Sequence, residues 1–219
     1  MHAQEKSERP FRWIQLTLMC ALLFLVLILV IRLPAVGAVD NRLLMILEPL
    51  RQKPWIAFFT RLTDLGSSRV LNAVIALAVI FLLIKRRLPE SVILPAVFAV
   101  ERFLNGVLKQ WVTRERPPVP HLVHETGFSF PSGHAMNAVT VYGLLIILIV
   151  PLIQHAALRR LWILLNLTLI LLIGFSRPFL GVHYVTDILA GYAAGGMLVG
   201  LTGAVLTASG RAGAHRQEG

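Results

Sequence analysis

A chain of 219 residues that is 56% hydrophobic and only 15% charged is too apolar for an ordinary soluble domain, where about 45–50% is usual. Its formal charge of +10 raises nucleic acid as a partner, but in a membrane chain basic residues gather on cytoplasmic loops and at anionic lipid heads, so no nucleic-acid partner is expected. The lone cysteine, Cys20, excludes an intrachain disulfide and a Cys-based zinc site.

A membrane helix needs about 20 mostly apolar residues to cross the hydrocarbon core. Six runs qualify in chain order: Trp13 to Leu33, Val70 to Ile84, Ser91 to Leu108, Ala135 to Pro151, Leu161 to Phe175, and Val185 to Leu206. Two are short and must borrow length from their flanks. The first run follows Lys6, Arg9 and Arg12 and precedes AVGA, Ala35 to Ala38, as a signal peptide would. Its apolar core exceeds the ~7–15 residues of a cleaved signal, so a retained anchor is the expectation. Asn41 to Leu65 mixes Leu, Trp55, Phe58 and Phe59 with Arg42, Arg51, Lys53 and Arg61, a composition suited to helices lying in the interface plane. The fold predicted is all-α: one domain over residues 1–219, six transmembrane helices, and short interfacial helices between the first two.

Lys6/Arg9/Arg12, Lys85/Arg86/Arg87, Arg159/Arg160 and Arg211/Arg216 fall at alternate ends of six spans, so all four clusters can share the cytoplasmic side. Both termini are then inside and the other connections outside. Arg114 and Arg116 break the pattern on an outer loop. For Arg116 the polar segments described next supply a reason, while Arg114 reads as an interfacial anchor.

Three polar segments meet the outer ends of the spans: KQWVTRERP (residues 109–117), PSGH (131–134) and SRPFLGVHYVTD (176–187). Lys109, Arg116 and Arg177 offer cations, and the arginine fork matches phosphate oxygens. Ser132 and Gly133 precede an apolar helix, whose first amides make an anion site. His183 and Asp187, four apart, are expected on one face of the last helix. There the carboxylate fixes the imidazole tautomer and leaves the other nitrogen free to attack. His134 can protonate a leaving oxygen. Two histidines among three cations point to phosphoryl transfer through a phosphohistidine. Each piece alone has a bland explanation, a cap, a surface pair or a snorkelling arginine. Their common side argues for a site.

At these residues the sequence resembles the type 2 phosphatidic acid phosphatase superfamily, whose signature is K-x6-RP, PSGH and SR-x5-H-x3-D. Lys109 with Arg116-Pro117, Pro131 to His134, and Ser176-Arg177, His183 and Asp187 fit every spacing. The segments ERFLNGVLKQW and LVHETGFSFPSGHAMNA look closest to small bacterial members of phosphatidylglycerophosphatase and undecaprenyl pyrophosphate phosphatase type. The resemblance implies phosphate binding by Lys109, Arg116, Ser132, Gly133 and Arg177, His183 as nucleophile held by Asp187, and His134 as general acid. It implies no metal and no cofactor. It also implies a hydrolase of the bacterial cytoplasmic membrane acting on phosphatidylglycerol phosphate, undecaprenyl pyrophosphate, phosphatidic acid or diacylglycerol pyrophosphate. Pro178 departs from the usual pattern and is expected to stiffen the turn that aims Arg177.

Rival readings stay open. A vanadium-dependent haloperoxidase shares the signature but is soluble. A lipid-to-lipid phosphotransferase differs only in the acceptor, and a scaffold or lipid carrier could keep the fold without the chemistry. Glu101, Asn105 and Lys109 form a polar stripe in which Glu101 pairs with a base or snorkels. His121 and His124 read as solvated loop residues. Gly191, Gly195 and Gly196, with Ala190, Ala193 and Ala194, suit close helix packing, and Trp13, Trp55, Trp111 and Trp162 an interfacial belt.

Overall fold

The computed structural model describes residues 2–215, with side chains for 11–209. Lys6, Arg9, Arg211 and Arg216, and most of the C-terminal tail, lie outside the described side chains. All regular structure among the described residues is helical. In order these are α1 (His2–Val30), α2 (Pro34–Leu47), α3 (Lys53–Thr63), α4 (Ser68–Ile84), α5 (Leu88–Val112), α6 (Gly133–Ile149), α7 (Ala156–Phe179) and α8 (Val185–His215). Five of these are long and apolar enough to cross a membrane, or six spans if α3 and α4, bent by 53° at their junction, count as one. The six expected spans correspond to α1 and α4 to α8. With 17 residues, α4 alone falls short of the usual ~20.

Helices α6 and α8 form the centre, buried on most sides, while α1, α5 and α7 expose much of their surface. Helix α1 shows why. Thr17 and Cys20 meet Gly200 and Gly196 of α8, and Phe24 and Leu27 are buried in the same direction. That i, i+3, i+7, i+10 spacing makes one stripe, and Leu18, Met19, Leu22, Leu25 and Leu29 between them are exposed, as a lipid-facing surface requires. The glycine and alanine run of α8 therefore packs, as its spacing predicts. Helix α4 repeats the logic, burying Leu71, Ile75, Ala78 and Leu82.

The interfacial helices expected between the first spans are α2 and α3, each opened by proline at its first turn, where the missing N–H costs nothing. Helix α3 buries Phe59 and Thr63. The Phe59 ring stands 4.5 Å from Phe179 and 5.4 Å from Phe175 of α7, while Trp55 and Phe58 remain exposed. Ser67 caps α4 by accepting from Val70 N–H at 3.4 Å.

Four expectations need correction. Helix α7 runs through Arg177 and Pro178 to Phe179, so Pro178 sits in a last helical turn rather than in a loop; buried Phe179 and Arg177 hold that turn by packing. His183 precedes α8 instead of lying on it. Trp13 and Trp162 are half-buried: the Trp13 ring packs on Gly203, and Trp162 donates to the Leu145 carbonyl at 3.3 Å. Only Trp55 and Trp111 are exposed as a belt would be. Glu101 neither pairs nor snorkels. It is 0% exposed, and neither carboxylate oxygen has a hydrogen-bond partner among the described residues.

Candidate active site

The site forms where the end of α5, the start of α6, the end of α7 and the start of α8 converge beneath the 113–132 loop. All eight residues singled out by spacing meet here. Ser132 caps α6, accepting from Ala135 N–H at 3.5 Å, and its own N–H donates to the Asp187 carbonyl at 3.0 Å. Gly133 and His134 occupy the first turn of α6, where backbone amides have no intrahelical partner. A Cβ on Gly133 would stand 3.2 Å from Asn105 Oδ1, so glycine lets α5 approach the cap.

His183 is fully buried and held from both sides. Arg116 Nη1 donates to its Nε2 at 3.2 Å. A guanidinium only donates, so Nε2 carries the lone pair and the proton belongs on Nδ1. Nδ1 faces Ser129 Oγ at 3.2 Å and Asp187 Oδ2 at 3.5 Å. Ser129 Oγ donates in turn to Asp187 Oδ2 at 2.5 Å. The tautomer that Asp187 was expected to fix is therefore set largely through Ser129. Burial, reinforced by the Arg177, Lys109 and Arg116 charges, pushes the His183 imidazole well below its ordinary range, so it is neutral at neutral pH.

Asp187 is itself clamped. Its Oδ2 accepts from Tyr184 N–H at 2.9 Å, closing the first turn of α8 as in a capping box. Its Oδ1 accepts from Arg114 Nη1 at 2.7 Å, and Arg114 Nη2 donates to Asp40 Oδ2 at 2.8 Å. Asp40, from α2, also accepts from Thr186 Oγ1 at 2.5 Å. Arg114 lies over the Tyr184 ring, 4.2 Å from its centroid. The expectation of an interfacial anchor fails: Arg114 bridges two buried carboxylates.

The cations surround one spot, and Glu125 occupies it. Its Oε1 accepts from Arg177 Nη2 and lies 3.8 Å from His134 Nδ1; its Oε2 is 3.4 Å from Arg116 Nη2. Arg177 is anchored by donating to Thr63 Oγ1 at 2.8 Å, and Arg116 by donating to the Val182, Gly127 and Thr126 carbonyls. Lys109 Nζ donates to the Phe128 carbonyl and feels the charges of Arg116, Glu125 and Arg177. A carboxylate held this way stands where a tetrahedral anion would be held by the same forks. The two histidines flank it with different access: the His134 side chain is 20% exposed and that of His183 only 2%. Such an arrangement suits attack from the dry side and proton exchange with solvent from the other.

Sequence reasoning missed Ser129, Glu125, Asp40, Arg114 and Thr63 as site components. Ser129 and Glu125 lie in the very loop joining two signature segments, but no periodicity marked them. His121 is exposed and contacts the Pro117 carbonyl at 3.1 Å, and His124 is exposed, as expected of loop histidines.

The chain resembles known proteins in sequence and in fold. Residues 90–211 match the PAP2 superfamily. The chain is 36% identical over 179 residues to phosphatidylglycerophosphatase B of Bacillus subtilis (strain 168), covering 81% of this chain and 88% of that one. It is 28% identical over 111 residues, 45% of this chain and 27% of the other, to lipid phosphate phosphatase delta of Arabidopsis thaliana. Its fold superposes on the crystal structure of a transmembrane PAP2 type phosphatidylglycerolphosphate phosphatase from Bacillus subtilis with TM-score 0.80 and 32% identity, covering 90% of this chain and 94% of that one. Aquifex aeolicus LpxE superposes with TM-score 0.59 and 25% identity, over 74% of this chain and 93% of that one. A helical membrane bundle whose signature residues gather in one cluster, matched over most of its length by these relatives, belongs to the PAP2 superfamily and is a multi-pass membrane lipid phosphatase.

Proposed function

We propose that the chain is a single catalytic domain that removes the terminal phosphate of a membrane lipid through a phosphohistidine on His183, without a metal. The observation that supports this most is the orientation of His183 Nε2, whose lone pair faces Arg116 and the spot filled by the Glu125 carboxylate. The terminal phosphate displaces that carboxylate and is held by Lys109, Arg116, Arg177 and the Ser132 and Gly133 amides. Nε2 attacks phosphorus, the bond to the lipid oxygen breaks, and His134 protonates that oxygen. Water then attacks the phosphohistidine, His134 takes its proton, and the P–N bond breaks to release inorganic phosphate. Asp187, through Ser129, holds Nδ1–H and spreads the positive charge that the ring acquires.

Phosphatidylglycerol phosphate leads as substrate, because the relatives matched over most of the chain carry that activity in their names. Undecaprenyl pyrophosphate stands beside it, ahead of phosphatidic acid and diacylglycerol pyrophosphate. The site is assigned to the outer surface of the bacterial cytoplasmic membrane, with both termini inside, on the distribution of basic residues. The test is phosphate release from a lipid panel by the purified protein with EDTA present, beside His183→Ala and His134→Ala. Undiminished release in EDTA, with loss of at least about a hundredfold in either variant, is expected. A folded wild type that releases phosphate from no lipid overturns the reading.

A further inference from the structure

Arg102 lies on α5 at i, i+3 and i+7 with Asn105 and Lys109, so it shares the face that carries Lys109 into the site. Its Nη1 reaches to 3.7 Å from the point where a Cβ on Gly133 would stand, beside the α6 cap. Its charge is felt at His134. Unlike Lys109, Arg114, Arg116 and Arg177, it has no hydrogen bond or ion pair among the described residues, and it is exposed. The adjacent Glu101 is buried and turned into the bundle. Phe103 beside it is exposed, while Phe98 and Asn105 on its other flank are buried, so the guanidinium stands at the edge between the lipid-facing surface of α5 and the α6 cap, within a helix long and apolar enough to cross the bilayer.

An arginine within a membrane-spanning helix is costly unless an anion meets it. Its charge reaches the buried Glu101 carboxyl, but no group among the described residues hydrogen-bonds the guanidinium, which leaves its donors for an anion that arrives with the substrate. A terminal phosphate at the Gly133 amides leaves Arg102 next along the path toward the lipid anchor. We propose that Arg102 binds the second phosphate of a two-phosphate lipid, and so selects substrates whose terminal phosphate is joined to another through an anhydride or a short glycerol. This rests on the phosphate-binding reading of the site and narrows its substrate class. One-phosphate lipids leave Arg102 unused.

The test compares kcat/KM of the wild type, Arg102→Gln and Arg102→Lys in detergent micelles. The substrates are a polyprenyl pyrophosphate, the monophosphate of the same tail, phosphatidylglycerol phosphate and phosphatidic acid. With the loss of one charge-assisted contact, Arg102→Gln is expected to lower kcat/KM about tenfold or more on a two-phosphate lipid, mainly through KM, and to stay within about twofold on both one-phosphate lipids. Arg102→Lys recovers part of the loss. The pyrophosphate and the glycerol-spaced lipid separate the two linkages, and an effect on either one supports the assignment. Retained one-phosphate activity reports that the variant is folded. Equal losses on both classes, or no loss on either, overturn the proposal. A wild type inactive on every lipid instead defeats the underlying phosphatase reading.

Discussion

Ser129 decides how His183 is held, because its hydroxyl stands between Nδ1 and Asp187 Oδ2. Ser129→Ala leaves Nδ1 with only the 3.5 Å approach of Asp187, beside the Arg116 contact at Nε2, so kcat is expected to fall about tenfold to a hundredfold with KM little changed. The pH profile reports the same ring. As the proposed nucleophile, His183 attacks only when neutral, and its environment lowers its pKa. Activity therefore persists below the ordinary histidine range of about 6.5 and is lost only at more acid pH. Arg116→Gln, which removes one of the opposing charges, is expected to move that acid limb upward; an unmoved limb would detach it from His183. Glu125 balances the cations in the resting site, and Glu125→Gln is expected to tighten inhibition by inorganic phosphate. At this scale the sequence was legible where spacing is fixed, as in His183 and Asp187. It was illegible for Asp40, Ser129 and Glu125, which reach the site by chain reversal, and for Arg114, whose partners lie 74 and 73 residues away.

Helix α2 would be a mere surface element without the Asp40 contact to Arg114 and Thr186, which ties it to the first turn of α8. Asp40→Ala removes one of two acids from a largely buried arginine, a loss of about 3 kcal/mol by comparison with other broken buried pairs. A lower melting temperature in detergent, together with a lower kcat, is the expected result. Close packing governs the centre. A Cβ at Gly191 would approach the Ser132 carbonyl to 2.7 Å, so Gly191→Leu pushes the cap of α6 from the cations and is expected to abolish activity while the protein still inserts. The helices themselves were legible as apolar runs of sufficient length. The end of α7 was not, because proline suggests a break, whereas the Phe179 ring against Phe59 supplies packing that local propensity does not report.

Across the whole molecule the polar ends differ in chemistry. One end gathers the proposed phosphate site; the other has an apolar cleft rimmed by Arg12, Arg87, Glu90 and Pro151. Their assignment to the two sides of the membrane can be checked in a Cys20→Ser background. Cysteine at His124 is expected to react with an impermeant maleimide in intact cells and cysteine at Arg159 only after permeabilisation, and the reverse pattern would invert the topology. Alternating basic clusters made this reading possible from sequence, while the bend between α3 and α4 was hidden because each half looks complete alone. The exposed apolar flanks of α1, α5 and α7 around the site have one more consequence. A substrate whose tails stay in the bilayer reaches His183 by lateral diffusion, so the enzyme responds to crowding in two dimensions. Its half-saturation point is a mole fraction, and diluting the substrate with inert lipid at constant bulk concentration slows turnover.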